Sequence, residues 1–182
     1  LLRAAALHTH PLRAAIHALK YGGRPELAPL LARYLSAVFV DAPWSRLAQP
    51  IDLLVPVPLH PQRQQARGYN QAELLARAFG ASVALPVETA WLHRVRDTRQ
   101  QVGLGPRERH ANVTDAFYAE DALAGRVLLL IDDVCTTGAT LRACAAAAHT
   151  AGAQAVYALT LAMPARAAVP AAPDLPWWEG DV

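Results

Sequence analysis

Two adjacent carboxylates, Asp132 and Asp133, follow an unbroken apolar run from Val127 to Ile131 and lead into Thr136-Thr137-Gly138-Ala139-Thr140. A short continuous apolar run that stops at a turn reads as a strand buried on both faces, as in a parallel sheet. The turn gathers backbone N–H groups, three threonine hydroxyls and the start of an alanine-rich helix (141–151), which together suit a phosphate. The paired acids just ahead of that seat can accept hydrogen bonds from sugar hydroxyls. A sugar phosphate is the ligand this spacing describes. Other nucleotide patterns are missing: there is no GxxxxGK[ST], and Gly103-Leu104-Gly105 runs into Arg107 and Glu108 without a third glycine.

A second anion signal lies upstream. The segment VPVPLHPQRQQARGYNQAE (55–73) sets Arg63 and Arg67 directly before a helix. Guanidinium forks match phosphate oxygens, and a helix N-terminus adds to them, so this loop suits a pyrophosphate. Further on, RVRDTRQQVGLGPRERHANVTDAF (94–117) is polar, basic and without apolar periodicity from Arg96 to Asn112. A loop this long between two strands is expected to be an active-site lid, with Arg96, Arg99, Gln101 and Arg109 as its working residues. Between His60 and His110, eight arginines face four acids in a chain whose net charge is only +2. That concentration of positive charge points to an anionic partner.

The remaining sequence supplies the elements that must position these groups. With 182 residues, 53% of them hydrophobic, there is core enough for one α/β domain. Two amphipathic helices, Pro11–Tyr21 and Pro25–Val40, are expected to open the chain, followed by a linker over 41–50. Ile51–Val57 reads as a buried strand, Tyr69–Phe79 as a helix, and Val87–Val95 and Thr114–Tyr118 as further strands. Arg126–Asp132 carries the acids, and Ala155–Met163 is the last strand. Strands alternating with helices give an α/β class: a doubly wound, mostly parallel sheet with N-terminal helices. Ligands sit beyond the carboxyl ends of such strands, so the loops after Val57 and Ile131 should share one rim. No apolar stretch nears the roughly 20 residues a bilayer span needs, and no signal peptide is visible. Cys135 and Cys144 read as reduced thiols, and a cytoplasmic location is expected. His8 and His10 read as ordinary surface residues.

The Asp-Asp and TTGAT residues resemble the phosphoribosyl pyrophosphate (PRPP) signature of type I phosphoribosyltransferases. The resemblance implies that Asp132 and Asp133 are the catalytic pair, holding the ribose 2′ and 3′ hydroxyls. It implies that Thr136, Thr137, Gly138, Ala139 and Thr140 cradle the 5′-phosphate. Four segments in order are similar to the ComF/ComFC family: LKYGG, VPVPLHPxRxxxRGYNQAELLA, RxxxTxxQxxLxxxxRxxNVxxAF and LLIDDVCTTGAT. The match covers roughly Leu12 to Met163. It implies a phosphoribosyltransferase-like domain over 1–163, helical over 1–42, and a proline-rich tail over 164–182. It further implies Mg²⁺ held mainly through PRPP with no ligand set in the chain, and a role in natural competence with single-stranded DNA and helicase machinery as partners. Zinc belongs only to the four-cysteine N-terminal ribbon common in the family, which either precedes Leu1 or is absent in a naturally short member. Three functions stay open: a transferase, a DNA-uptake accessory protein that carries PRPP as a ligand, and a catalytically silent PRPP sensor.

Overall fold

In the computed structural model, residues 1–40, 44, 47, 50–96 and 116–165 are described. The chain runs β1 (Leu2–Leu7), α1 (Leu12–Tyr21), α2 (Ala28–Phe39), β2 (Leu53–Pro56), α3 (Pro61–Arg67), α4 (Gln71–Val83) and β3 (Leu92–Arg94). It continues through β4 (Phe117–Ala119), β5 (Val127–Val134), α5 (Ala139–Thr150) and β6 (Ala155–Met163). Four strands form a parallel sheet in the order β1-β6-β5-β2, and β3 pairs antiparallel with β4 in a small second sheet.

The central strand β5 shows why the sheet must be covered twice. Its residues alternate between faces, and every one from Val127 to Ile131 is buried. Leu128 and Leu130 pack with Leu141, Cys144 and Ala145 of α5. Leu129 and Ile131 pack on the other face with Leu35 of α2 and Leu75 and Phe79 of α4. Helices therefore lie on both faces, which bears out the doubly wound α/β reading.

Three differences from the sequence expectations bear on the site. The segment 1–42, expected to be helical, opens on a strand: β1 pairs with β6, from Leu2↔Ala158 to Leu7↔Met163. Its Arg-Ala-Ala-Ala centre has neither β-branched residues nor alternation, so only the pairing partner makes it a strand. Residues 61–67, expected as loop, form α3 with Pro61 in the first turn. That helix buries none of its residues, so no apolar stripe could announce it. Finally, β5 does not stop at Asp132. The ladder to β6 continues through Asp132↔Thr160 and Val134↔Ala162, placing both acids inside the strand.

Candidate functional site

Parallel pairing brings the two anion motifs to one rim. Val57 donates its N–H to the Ile131 carbonyl (2.9 Å), and Cys135 donates to Ala162 (2.9 Å). The ends of β2, β5 and β6 are thereby level. The RGYN segment then fixes the path of the chain beyond β2. Asn70 caps α4, its Oδ1 accepting from Ala72 N–H (3.0 Å), while its Nδ2 donates to the Val57 carbonyl (3.0 Å). Tyr69 Oη donates to the Leu19 carbonyl (2.6 Å), tying the end of α1 to the same corner. Gly68 closes α3 at φ 86°, the left-handed region where glycine is unstrained.

Arg63, Arg67, Asp132, Asp133 and Thr140 line a single cavity of about 190 Å³, together with Lys20 and Arg94. The pairing of arginine loop and acidic pair drawn from the sequence is thus a spatial fact, although both arginines lie on α3 rather than in a loop before a helix. Arg67 stacks its guanidinium 5.1 Å from the Tyr21 ring centroid and donates to Gln71 Oε1. A smaller hollow of about 20 Å³ lies inside the turn, lined by Thr136 to Leu141, and shares Asp132, Val134 and Thr140 with the larger cavity. Gly138, at φ 76°, is the N-cap residue of α5. A Cβ there would meet Arg142 Nη1 at 3.2 Å, besides straining the backbone. Arg142 is buried and donates through Nη2 to the Thr137 carbonyl (2.6 Å), bracing the turn from behind.

The acids differ. Asp133 is 2% exposed, and its Oδ2 makes a 2.6 Å ion pair with Lys20 Nζ. Burial drags the Lys20 ammonium down, but Asp133 and Asp132 outweigh it and leave the pKa above its ordinary value. Asp132 opens onto the cavity. Desolvation, reinforced by the charge of Asp133 and only partly opposed by Lys20, raises its pKa well above the usual carboxylate range. Both thiols near the turn are inert: burial pushes Cys135 up to about 11 and Cys144 well above its ordinary value.

The sequence assigns no role to Lys20, Asn70 or Arg142, and offers Tyr69 only as a stacking platform for a nucleic-acid base, whereas its hydroxyl ties the α3–α4 connection to α1. Lys20 had a signal in the composition, being the lone lysine beside sixteen arginines. Of the expected lid, Arg96 is exposed just beyond β3 and lines neither cavity, while Arg99, Gln101 and Arg109 lie outside the described residues. Arg94, on β3, does reach the rim. Most of the expected 41–50 linker and of the 164–182 tail also falls outside them. Among the described residues, no three His, Cys, Asp or Glu side chains converge as a metal cage, and no helix is long and apolar enough to cross a membrane.

No family model matches the chain. It is 36% identical to the DNA utilization protein YhgH of Salmonella typhimurium over 134 residues, 74% of this chain and 59% of that protein. It is 33% identical to Competence protein F of Haemophilus influenzae over 137 residues, 74% and 60% of the two chains. Competence protein ComFC of Bacillus subtilis matches over 91 residues at 32%, covering 49% and 35%. The chain thus spans about three fifths of the length of the first two relatives. Solved structures overlay loosely. A glutamine PRPP amidotransferase of B. subtilis, complexed with ADP and GMP, gives a TM-score of 0.45 at 18% identity, over 76% of this chain and 26% of that one. A hypoxanthine phosphoribosyltransferase of Trypanosoma cruzi, in complex with IMP, gives 0.40 at 13%, over 78% of each chain. Overlays this loose leave the assignment to the sequence relatives, and by those the chain belongs to the ComF/ComFC family.

Proposed function

We propose that this domain binds PRPP with Mg²⁺ and acts as a phosphoribosyltransferase, the acids, turn and arginines described above forming one continuous ligand site. The observation that carries the reading is the single cavity joining Asp132 and Asp133 to Arg63 and Arg67, with the hollow of the TTGAT turn opening from it. The 5′-phosphate takes the turn at the start of α5, the ribose hydroxyls take the carboxylates, and the pyrophosphate takes the arginines of α3. The donor set fits Mg²⁺: Asp132 is a carboxylate that lines both the cavity and the turn and would supply a hard oxygen, while Asp133 is held by Lys20. Magnesium is commonly held by one or two carboxylates plus substrate phosphates, so no cage of protein ligands is needed. Bound there, Mg²⁺ would supply neutralisation of the charge on a pyrophosphate leaving group. The protein's part is positional and electrostatic, with Arg63 and Arg67 holding the leaving group and Asp132 and Asp133 orienting the sugar.

Calorimetry with Mg–PRPP tests this. Asp132→Asn/Asp133→Asn should abolish binding, and Arg63→Ala should weaken it by about 1.5–3 kcal/mol, the size of a lost charge-assisted contact. Ribose 5-phosphate, lacking the pyrophosphate, should bind Arg63→Ala as it binds the unaltered protein. An equal loss for both ligands would remove Arg63 from the pyrophosphate site.

A second reading rests on the relatives' names, which speak of DNA utilization and competence. Under it, the basic 60–110 stretch follows a single-stranded backbone and the domain serves DNA uptake. Affinity for single-stranded DNA should then fall as salt rises, since each phosphate contact releases counterions. No DNA binding at low salt, in a protein that turns over PRPP, would rule this reading out.

A further inference from the structure

A second and larger cavity, about 770 Å³, adjoins the first and shares Lys20, Tyr21 and Val134 with it. Its floor and walls come from α1, the β1–α1 connection and the end of β5. Lys20, Tyr21 and Val134 form the partition between the two cavities, and Thr136 of the phosphate turn opens onto this one. The volume lies in the range typical of small-molecule sites, roughly 300–1,000 Å³.

The lining is chemically one-sided. His8, His10, Arg13 and His17 face the space, and no carboxylate lines it among the described residues. Asp133 is the acid whose charge reaches His8, and Lys20 already answers that charge at 2.6 Å. His8 feels burial first, then Lys20 and Arg13, all disfavouring its protonation, with only Asp133 opposing them. Arg13 and Lys20 thus set a positive potential at His8 that an anion in the cavity would relieve. The rest of the surface is apolar or aromatic: Ile16 is buried beneath it, and the Tyr21 ring, 58% exposed, stands 5.1 Å from the His17 ring. Flat π-faces and an apolar floor suit a planar ring, while Arg13 offers a fork to a carboxylate or similar group.

We propose that this cavity binds a planar heteroaromatic anion, seated next to the sugar-phosphate site across the wall of Lys20, Tyr21 and Val134. It rests on the phosphoribosyltransferase reading for its role as the second substrate's seat, whereas the binding itself does not.

Calorimetry with two matched pairs of probes tests it, orotate against uracil and nicotinate against nicotinamide, each titrated with and without Mg–PRPP. At least one carboxylate should bind about tenfold or more tightly than its neutral twin. Arg13→Ala/His17→Ala, both on the exposed face of α1, should remove that preference while leaving Mg–PRPP affinity unchanged. Asp132→Asn/Asp133→Asn should do the reverse, losing PRPP and keeping the carboxylate. Equal affinity for charged and neutral twins would overturn the proposal. So would a carboxylate affinity that survives Arg13→Ala/His17→Ala or that falls with Arg63→Ala, since the anion would then sit on the arginines of α3. Loss of PRPP binding in the unaltered protein would refute the transferase reading and leave this result standing.

Discussion

Asp132 is kept at a cost to stability. Its pKa is raised by desolvation and by Asp133, so the folded state resists its ionisation. Below the ordinary carboxylate value near 3.8 it is neutral whether the chain is folded or not, and it exacts nothing. As pH rises past that value the unfolded chain ionises first, and stability drains away until the folded carboxyl also ionises. Asp132→Asn should therefore melt higher at pH 7, by a few degrees, while the gap closes as pH falls below 4. A melting temperature unchanged at neutral pH would contradict this. Lys20 has the opposite standing. Lys20→Ala leaves Asp133 charged and buried without its partner, a loss of about 3 kcal/mol or more, and Asp133→Asn in that background should recover part of it, as urea unfolding will show. The carboxylate pair was legible because two acids followed by TTGAT is a dense signal within nine residues. The lysine was not, because its partner lies 113 positions away and only the packing of α1 brings them together.

At the scale of elements, the corner after β2 is where the site is assembled. Asn70 satisfies the start of α4 and the end of β2 at once, and Tyr69 holds the last turn of α1. Asn70→Ala should lower stability by about 1 kcal/mol for the cap alone, with more for the Val57 carbonyl left without its donor. Tyr69→Phe should loosen the α1 terminus and show faster amide exchange over the last turn of that helix, while α5 keeps its protection. Elements with their own apolar signature were readable from sequence. Ala155–Met163 stands where the apolar run placed it, and the β5–α5 unit differs only at its edges. Elements defined by a partner were not: β1 is a strand because β6 offers it an edge, and α3 is a short polar helix held between Pro61 and Gly68.

For the molecule as a whole, the site spans segments that only the sheet order unites: α1, α3, β5 and the start of α5. A ligand that bridges them should act on global stability. At a free Mg–PRPP concentration 100 times the dissociation constant, unfolding should cost about 2.7 kcal/mol more, a rise in Tm of roughly 5–10 °C. The Asp132→Asn/Asp133→Asn variant should show none of it. The fold class was legible because alternating strand and helix signals constrain topology tightly. The rim that joins Arg63 and Arg67 to the acidic pair was legible too, but the larger cavity was not, since residues 8–21 enclose it only where they pack against Val134 and Thr136 of a distant segment. The buried thiols give the same architecture a built-in clock. Cys135 sits at the root of the TTGAT turn and Cys144 further along, inside α5, both sealed in the core. With Cys135 pushed up to about 11, roughly one thiol in a thousand is ionised at pH 8, so alkylation must wait for the β5–α5 unit to open. The rate at which a small alkylating reagent consumes these cysteines therefore counts openings of the turn, and a phosphate seated there should slow the count.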